Sequence, residues 1–300
     1  MPYCRIDDGT EIYYQEYGSG DKHLICSQID HDYTVFSFER EMSRRGFHVY
    51  LLTDRGFGKS THTTENYGLG WYDRFADDVI AFADKMGIDK FVYSGASHGS
   101  GVGWHLCLRN SERLICFFAD VAGPLSPEGV PIEGILSGND VTAEKDPNAP
   151  AFCSLPDFFY ISNDDPAINE RRRLCREADS RLRASENYEE IYESPETLRI
   201  NTGPALIGLR TEENLREALK TIKTPVLMLG GTEDVISTPE LMIRTAKCLP
   251  NCKLVIHSGY GHVLDIFEEL ADDAVRFYEN VVNTGRYYAP VDNTPIEGIL

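Results

Sequence analysis

Residues 91–101 read Phe-Val-Tyr-Ser-Gly-Ala-Ser-His-Gly-Ser-Gly, an apolar run that enters a glycine-rich turn. The pattern predicts a short strand over Lys90 to Ser94 and a helix over Gly99 to Arg109. Ser97 falls on the sharp turn between them, with one glycine two positions before it and another two positions after it. A serine held there is typical of a nucleophile, because the N–H groups that follow it point at the oxygen that becomes charged in acyl transfer. A glycine-rich turn without chemistry is the alternative.

Two further side chains are candidates to work with this serine. Asp234 follows the apolar stretch Pro225 to Leu229 in a tight acidic turn, and His262 stands in a glycine-rich loop farther along the chain. A serine nucleophile needs a base that takes its proton and an acid that orients the base, so His262 is the predicted base and Asp234 the predicted acid. Asp120, at the end of another predicted strand, is a rival for the acid. The structural alternative is that Asp234 or His262 only caps the helix that follows it.

Apolar periodicity extends this strand-and-helix pattern over most of the chain. Strands are predicted at Glu11 to Tyr17, Leu24 to Cys26, His48 to Thr53, Leu114 to Val121, and Lys253 to His257. Helices are predicted at Tyr33 to Arg45, Tyr72 to Met86, Pro239 to Leu249, and Val263 to Val282. Alternation on this scale predicts a parallel sheet covered by helices on both faces, the α/β class.

One long stretch interrupts the alternation. Residues 123–224 contain loop-forming and helical patterns without a convincing strand, which predicts a helical cap inserted between two parts of a core. The core then comprises residues 1–122 and 225–284. Residues 285–300 carry two prolines and are predicted to form an extended arm.

Composition excludes several classes of function. The 300 residues include 29 Lys and Arg against 48 Asp and Glu, a formal net charge of −19. This charge disfavours nucleic acids and anionic membranes as partners, because both bind through clustered positive side chains. The sequence also lacks the motifs typical of metal or dinucleotide sites, so no metal and no cofactor are predicted. Eight cysteines without a Cys-x-x-Cys pair favour reduced thiols and a cytoplasmic protein.

Taken together, these motifs resemble the α/β-hydrolase superfamily. Besides the turn at Ser97, the matching pieces are Asp8-Gly9-Thr10, Asp54-Arg55-Gly56-Phe57-Gly58, the turn from Gly230 to Asp234, and Gly261-His262. The resemblance implies an eight-stranded, mostly parallel sheet with the cap inserted after strand six. It also implies hydrolysis on a serine, whereas dehalogenases and epoxide hydrolases of this fold use an aspartate at the turn.

The resemblance also implies an oxyanion hole made of two backbone N–H groups. His98 would supply the first, and Ile29, in the loop after the third strand, the second. The family usually carries His-Gly in that loop, whereas this chain reads Cys26-Ser27-Gln28-Ile29-Asp30-His31. The Gln28 amide could therefore donate to the oxyanion itself or contact the substrate.

The predicted function is a serine hydrolase that cleaves a carboxylic ester or lactone of a small, largely apolar or aromatic molecule. Gln28, Phe158, Phe159 and Trp71 are the predicted substrate contacts, although the aromatic residues could equally pack the cap onto the core. Carbon–carbon bond hydrolysis or cyanohydrin elimination on the same three residues is one alternative, and a non-catalytic small-molecule receptor is another. A homo-oligomer is possible on this sequence.

Overall fold

An eight-stranded sheet runs through the computed structural model, with strand order β1-β2-β4-β3-β5-β6-β7-β8. The structure describes residues 3–29, 37–63, 65–125, 165–170, 173–174, 177, 200, 202–209, 211–264 and 266–288. The strands are β1 (Tyr3–Arg5), β2 (Glu11–Tyr17), β3 (His23–Gln28), β4 (His48–Thr53), β5 (Phe91–Ala96), β6 (Leu114–Asp120), β7 (Val226–Gly231) and β8 (Cys252–His257). Only the pairings of β2 with β1 and with β4 are antiparallel. The mostly parallel sheet predicted from the sequence is confirmed.

Helices cover both faces of this sheet, as predicted. They are α1 (Ser37–Ser43), α2 (Trp71–Lys85), α3 (His98–Arg109), α4 (Glu212–Thr221), α5 (Pro239–Ala246) and α6 (Phe267–Thr284). Buried side chains of α1 and α6 belong to one core cluster, and those of α2, α3, α4 and α5 belong to a second. Consecutive strand residues such as Leu24 and Ile25 divide between the two clusters, since neighbouring side chains on a strand point to opposite faces.

The periodicity predicted seven of the eight strands, and β1 is the exception. It has three residues, of which only Cys4 is buried, so it is too short to display an alternating pattern. The strand is defined by its pairing with β2, in which Cys4 lies opposite Ile12 in the antiparallel register.

Much of the predicted cap, 123–224, lies outside the described residues. Residues 166–170 are helical, and α4 packs on the core through Leu215 and Leu219, which are buried in the same cluster as α2 and α3. The domain boundaries after 122, 224 and 284 stay predictions, as does the arm at 285–300, which is described only as far as 288.

Three further observations concern the described residues alone. No helix there has the length and apolar character needed to cross a membrane. Three or more potential metal ligands do not come together there. Six cysteines in this part of the chain carry free thiols: Cys4, Cys26, Cys107, Cys116, Cys248 and Cys252.

Candidate active site

Ser97 occupies a strained turn between β5 and α3. Its backbone has φ 48° and ψ −104°, a conformation that residues with a side chain rarely adopt, and its side chain is exposed. The flanking glycines make the turn possible. A Cβ at residue 95 would overlap the Gly99 carbonyl carbon, and a Cβ at residue 99 would lie 2.5 Å from the Ser27 carbonyl oxygen. Strain that the surroundings maintain in this way is a common feature of functional sites.

Hydrogen bonds attach this turn to the neighbouring strand β6. The Ser97 N–H donates to the Asp120 carbonyl oxygen at 3.0 Å, and the Ser100 hydroxyl donates to the same oxygen at 3.1 Å. Gly101 N–H donates to the Ser97 carbonyl at 3.1 Å and so starts the hydrogen-bond ladder of α3. The position of the Ser97 side chain is therefore set by the end of β6 as well as by its own strand.

The sheet order brings the predicted site residues to one edge. Strands β5, β6, β7 and β8 are consecutive neighbours and parallel, so their carboxyl ends meet at the same side of the sheet. Ser97 follows β5, Asp120 ends β6, Asp234 follows β7 and His262 follows β8. Adjacent strands are about 4.8 Å apart, so side chains that follow neighbouring strands can reach one another.

Asp234 and His262 form a buried pair. Nδ1 of His262 lies 2.9 Å from Oδ2 of Asp234, and both side chains are almost fully buried. The other carboxyl oxygen of Asp234 accepts hydrogen bonds from the backbone N–H groups of Ile236 at 2.8 Å and Ser237 at 2.9 Å. These donors fix the carboxyl group, and the carboxyl group fixes the imidazole.

Neither residue serves as the helix cap that the structural alternative proposed. The N-cap of α5 is Thr238, whose hydroxyl accepts from the Leu241 N–H at 3.4 Å. The N-cap position of α6 is Ile266. Glu233, the acidic neighbour of Asp234, points away, since its side chain is exposed and accepts from the Thr232 hydroxyl.

The loops after β7 and β8 are joined by backbone hydrogen bonds, and this junction places Asp234 against His262. Thr232 N–H donates to the His257 carbonyl and Glu233 N–H to the Tyr260 carbonyl, both at 2.9 Å. Gly231 lies so close to Tyr260 that a Cβ there would overlap the Tyr260 carbonyl oxygen. Glycine at position 231 therefore allows the two loops to approach.

Asp120, the rival acid, is buried in a different environment. Burial raises its pKa well above the ordinary value, and the nearby carboxyl groups of Glu39 and Asp234 raise it further. Burial also raises the pKa of Glu39, whose carboxyl accepts a hydrogen bond from the Ser94 hydroxyl at 2.6 Å. Asp234, in contrast, contacts the His262 imidazole directly, so the geometry pairs the histidine with Asp234 and not with Asp120.

The His98 side chain is held at both ring nitrogens. Nε2 lies 3.0 Å from Oδ2 of Asp54, and Nδ1 lies 3.2 Å from the hydroxyl of Tyr72. Asp54 itself accepts a hydrogen bond from the Ser27 hydroxyl. Since His98 is the first residue of α3, its N–H has no partner within the helix and is free to serve as the predicted oxyanion donor.

Sequence reasoning missed the supporting role of Asp54 and Tyr72. Asp54 stood in a quoted motif, Asp54-Arg55-Gly56, but nothing in its spacing from His98 indicated that the two would meet across 44 positions. The sequence signal that could have indicated this contact is the position of Asp54 directly after the apolar strand β4, which places its carboxyl group at the same sheet edge as the turn at Ser97.

Gln28 and Ile29 lie at the end of β3, beside the turn. The Ile29 N–H donates to Oε1 of Gln28 at 2.9 Å, and Nε2 of Gln28 donates to the Ala96 carbonyl at 3.0 Å. The predicted second oxyanion donor, the Ile29 N–H, is thus bound to the side chain of its own neighbour. Gln28 is 4% exposed.

Trp71, Phe158 and Phe159 are the aromatic residues predicted to contact the substrate. Trp71 is 1% exposed and packs edge-on against Tyr67 at a centroid distance of 4.7 Å. This burial in the core, rather than at an open surface, supports the packing alternative for Trp71. Phe158 and Phe159 lie outside the described residues.

The strained turn at Ser97, the buried Asp234–His262 pair and the sheet order are together consistent with an α/β-hydrolase fold. A family described as alpha/beta hydrolase fold matches residues 31–269, and the chain belongs to this family. The resemblance inferred from the sequence is confirmed, and the family supports a hydrolase role.

Relatives place the chain within the family without naming its substrate. It is 25% identical over 282 residues to a bifunctional esterase/perhydrolase of Acinetobacter calcoaceticus, with 87% of this chain and 93% of the relative covered. It is 27% identical over 283 residues to a non-heme haloperoxidase of Rhodococcus erythropolis, with the same coverage of 87% and 93%. Among solved structures, a thermophilic esterase from Thermogutta terrifontis is 21% identical, with a TM-score of 0.64 over 94% of this chain and 97% of that chain.

Proposed function

We propose that this protein is a serine hydrolase that cleaves a carboxylic ester or lactone of a small, largely apolar or aromatic molecule. Ser97 is the nucleophile, His262 the base and Asp234 the acid that orients the base. The observation that carries the proposal is the backbone of Ser97, an exposed serine kept at φ 48° at the carboxyl edge of the sheet. Backbone strain of this kind persists only where the surrounding structure holds it, and it clusters at active sites.

The reaction uses the tautomer that the acid selects. With Nδ1–H of His262 donating to Asp234, Nε2 carries the lone pair that accepts the Ser97 proton. Oγ of Ser97 bonds to the carbonyl carbon, and the tetrahedral oxyanion is stabilised by the His98 N–H and a second donor beside it. The carbon–oxygen bond to the leaving group then breaks, and His262 returns the proton to that oxygen.

Water completes the cycle. It attacks the acyl-enzyme while His262 takes one of its protons, and the collapse of the second tetrahedral intermediate returns a proton to Ser97. In this scheme Asp234 stays in place throughout and stabilises the charged imidazole. The substrate's acyl part leaves as a carboxylic acid.

The likeness to curated relatives supports the ester class. The Acinetobacter calcoaceticus relative is named as an esterase/perhydrolase and matches most of this chain. Relatives named as epoxide hydrolases also match, but this chain carries serine rather than aspartate at the turn. The choice between ester and lactone, the apolar character of the substrate and a cytoplasmic location remain parts of this proposal.

Labelling with a fluorophosphonate probe tests the nucleophile. We expect wild-type protein to be labelled at Ser97, as mapped by peptide mass spectrometry, and to hydrolyse members of a panel of aryl esters and lactones. The Ser97→Ala variant should lose labelling and turnover while keeping its melting temperature. Ser111→Ala, outside the sheet edge, is the matched control and should behave as wild type.

The panel also separates the alternatives. Folded wild-type protein that takes no label at Ser97 would favour a non-catalytic receptor and remove the proposal. Ser97-dependent cleavage of diketones without ester or lactone cleavage would instead favour the carbon–carbon bond hydrolase.

A further inference from the structure

The carboxamide of Gln28 is held by backbone groups at both ends. Its carbonyl oxygen accepts the Ile29 N–H at 2.9 Å, and its nitrogen donates to the Ala96 carbonyl at 3.0 Å. Ala96 directly precedes the nucleophile, and Ile29 is the residue whose N–H the resemblance assigns to the oxyanion hole. Gln28 therefore bridges the turn that carries Ser97 and the loop that the resemblance assigns to the oxyanion hole.

A primary amide carries two N–H donors, and the Ala96 carbonyl uses one of them. Among the described residues, that carbonyl is the one acceptor recorded for the Gln28 nitrogen. The second N–H lies in the same fixed amide plane. It belongs to a group near the backbone of Gly99, since a Cβ at residue 99 would lie 3.6 Å from Nε2.

Two arrangements could supply a second oxyanion donor. If Ile29 N–H is to bind the oxyanion, the buried Gln28 amide has to leave, and both of its hydrogen bonds break. If the amide stays, both of its hydrogen bonds are kept, and its second N–H would serve as the donor. Donors that need no reorganisation during the reaction are the effective ones, which favours the second arrangement.

We propose that the Gln28 side chain is the second oxyanion donor, and that Ile29 N–H and the Ala96 carbonyl hold it in position. This inference rests on the proposed hydrolysis at Ser97. The Nε2–H of Gln28 and the His98 N–H together stabilise the tetrahedral oxyanion. The Gln28 amide is thus a catalytic group in place of the backbone N–H that the family pattern implies.

Steady-state kinetics of Gln28→Met and Gln28→Ala test the donor. Both variants lack the amide, and methionine is close to glutamine in size. We expect kcat for the best ester substrate to fall about 100-fold or more with KM changed less than about 3-fold, since the loss of one oxyanion donor has an effect of this size on kcat. Gln15→Met on β2 is the matched control, and it should retain wild-type kcat.

Chemical rescue distinguishes donation from mere support of Ile29. The part of the glutamine side chain that Gln28→Ala removes corresponds to acetamide, and acetone has the same shape and carbonyl but no N–H. Acetamide should raise the kcat of Gln28→Ala at least about 10-fold, while acetone should not. Equal rescue by the two molecules would show that only the hydrogen bond to Ile29 matters and would overturn the proposal.

Other outcomes are equally decisive. A Gln28→Ala rate equal to or above that of wild type would mean that the amide blocks Ile29 N–H, and it too would overturn the proposal. Rescue in Gln28→Ala keeps the test valid if Gln28→Met fails to fold, as judged by thermal melting. Failure of the proposed function is recognised separately, because wild-type protein would then neither label at Ser97 nor turn over ester, and this inference would fall with it.

Discussion

Of the three described non-glycine residues with positive φ, namely Ser97, Val121 and Leu206, the first two lie beside the candidate site. Ser97 has φ 48°, and Val121, directly after β6, has φ 43°. A β-branched residue at positive φ is a strong outlier, and here tertiary contacts hold it, since its N–H donates to Leu229 at 2.8 Å and its carbonyl accepts the Ser237 hydroxyl at 2.6 Å. The chain turns at both residues, and both turns lie at the same edge of the sheet, where the Ser97 N–H donates to the Asp120 carbonyl.

At this scale, the two candidate acids should respond differently to amidation. Asp234→Asn should lower kcat by about 10⁴-fold, because an asparagine favours the wrong imidazole tautomer and cannot stabilise its charged form. Asp120→Asn should change kcat less than about 10-fold, because asparagine resembles the protonated carboxyl that the raised pKa of Asp120 favours. Ester hydrolysis by the two purified variants measures this contrast. A larger loss for Asp120→Asn would reassign the acid.

The raised pKa of Asp120 also predicts a pH dependence of stability. The folded protein keeps this proton above pH 3.8, the ordinary value, where the unfolded chain has already released it. The folded state therefore binds more protons, so the contribution of Asp120 to the free energy of unfolding falls as pH rises from about 4 towards the raised pKa. Asp120→Asn removes this dependence.

We accordingly expect the melting temperature of Asp120→Asn, relative to wild type, to rise between pH 4 and pH 8. Thermal melts of both proteins across that range provide the measurement. A difference that stays constant with pH would show that Asp120 titrates alike in the folded and unfolded chain.

At the scale of elements, the site depends on close approach between segments. The loops after β7 and β8 share backbone hydrogen bonds, and the turn after β5 is bonded to β6. A side chain at Gly231 would collide with backbone of the loop after β8, and a side chain at Gly95 would collide with backbone at the start of α3. Backbone cannot move aside as a flexible side chain can, so these positions tolerate glycine alone.

Gly95→Ala should therefore disrupt the turn. Its Cβ would overlap backbone atoms of Gly99, so we expect a loss of about 3 kcal/mol in the free energy of unfolding, together with loss of Ser97 labelling. Gly70→Ala is the matched control, because nothing lies within 4 Å of a Cβ there, and its effect should stay within about 1 kcal/mol. Urea denaturation of both variants gives the comparison. Equal stabilities would refute the steric explanation of the turn.

At the scale of the whole molecule, sheet order gathers residues that the chain separates widely. Ser97, Asp234 and His262 span 166 positions, yet they follow β5, β7 and β8, which are near neighbours in the sheet. Parallel connections through helices put every one of these strand ends on the same side. This arrangement explains how one edge of an α/β sheet becomes a candidate active site, as is usual for ligand sites in open α/β sheets.

The sequence by itself determined the class of the protein. Strand and helix periods depend on residues close together in the chain, so the sequence pattern predicted the alternation of strands and helices. The order of serine, aspartate and histidine indicated the family that the comparison with known proteins confirms. The sequence pattern did not predict strand β1, because three residues are too few to show an alternation of buried and exposed side chains.

Only the tertiary structure decided which side chains meet. In the structure His262 contacts Asp234, and the Ile29 N–H donates to the side-chain carbonyl of Gln28. Burial raises the pKa of Asp120, and Trp71 lies in the core. These outcomes depend on burial and on contacts between segments far apart in the chain. Local sequence patterns carry no information about such contacts, because the packing of distant elements sets both the distance and the solvent exposure of each group.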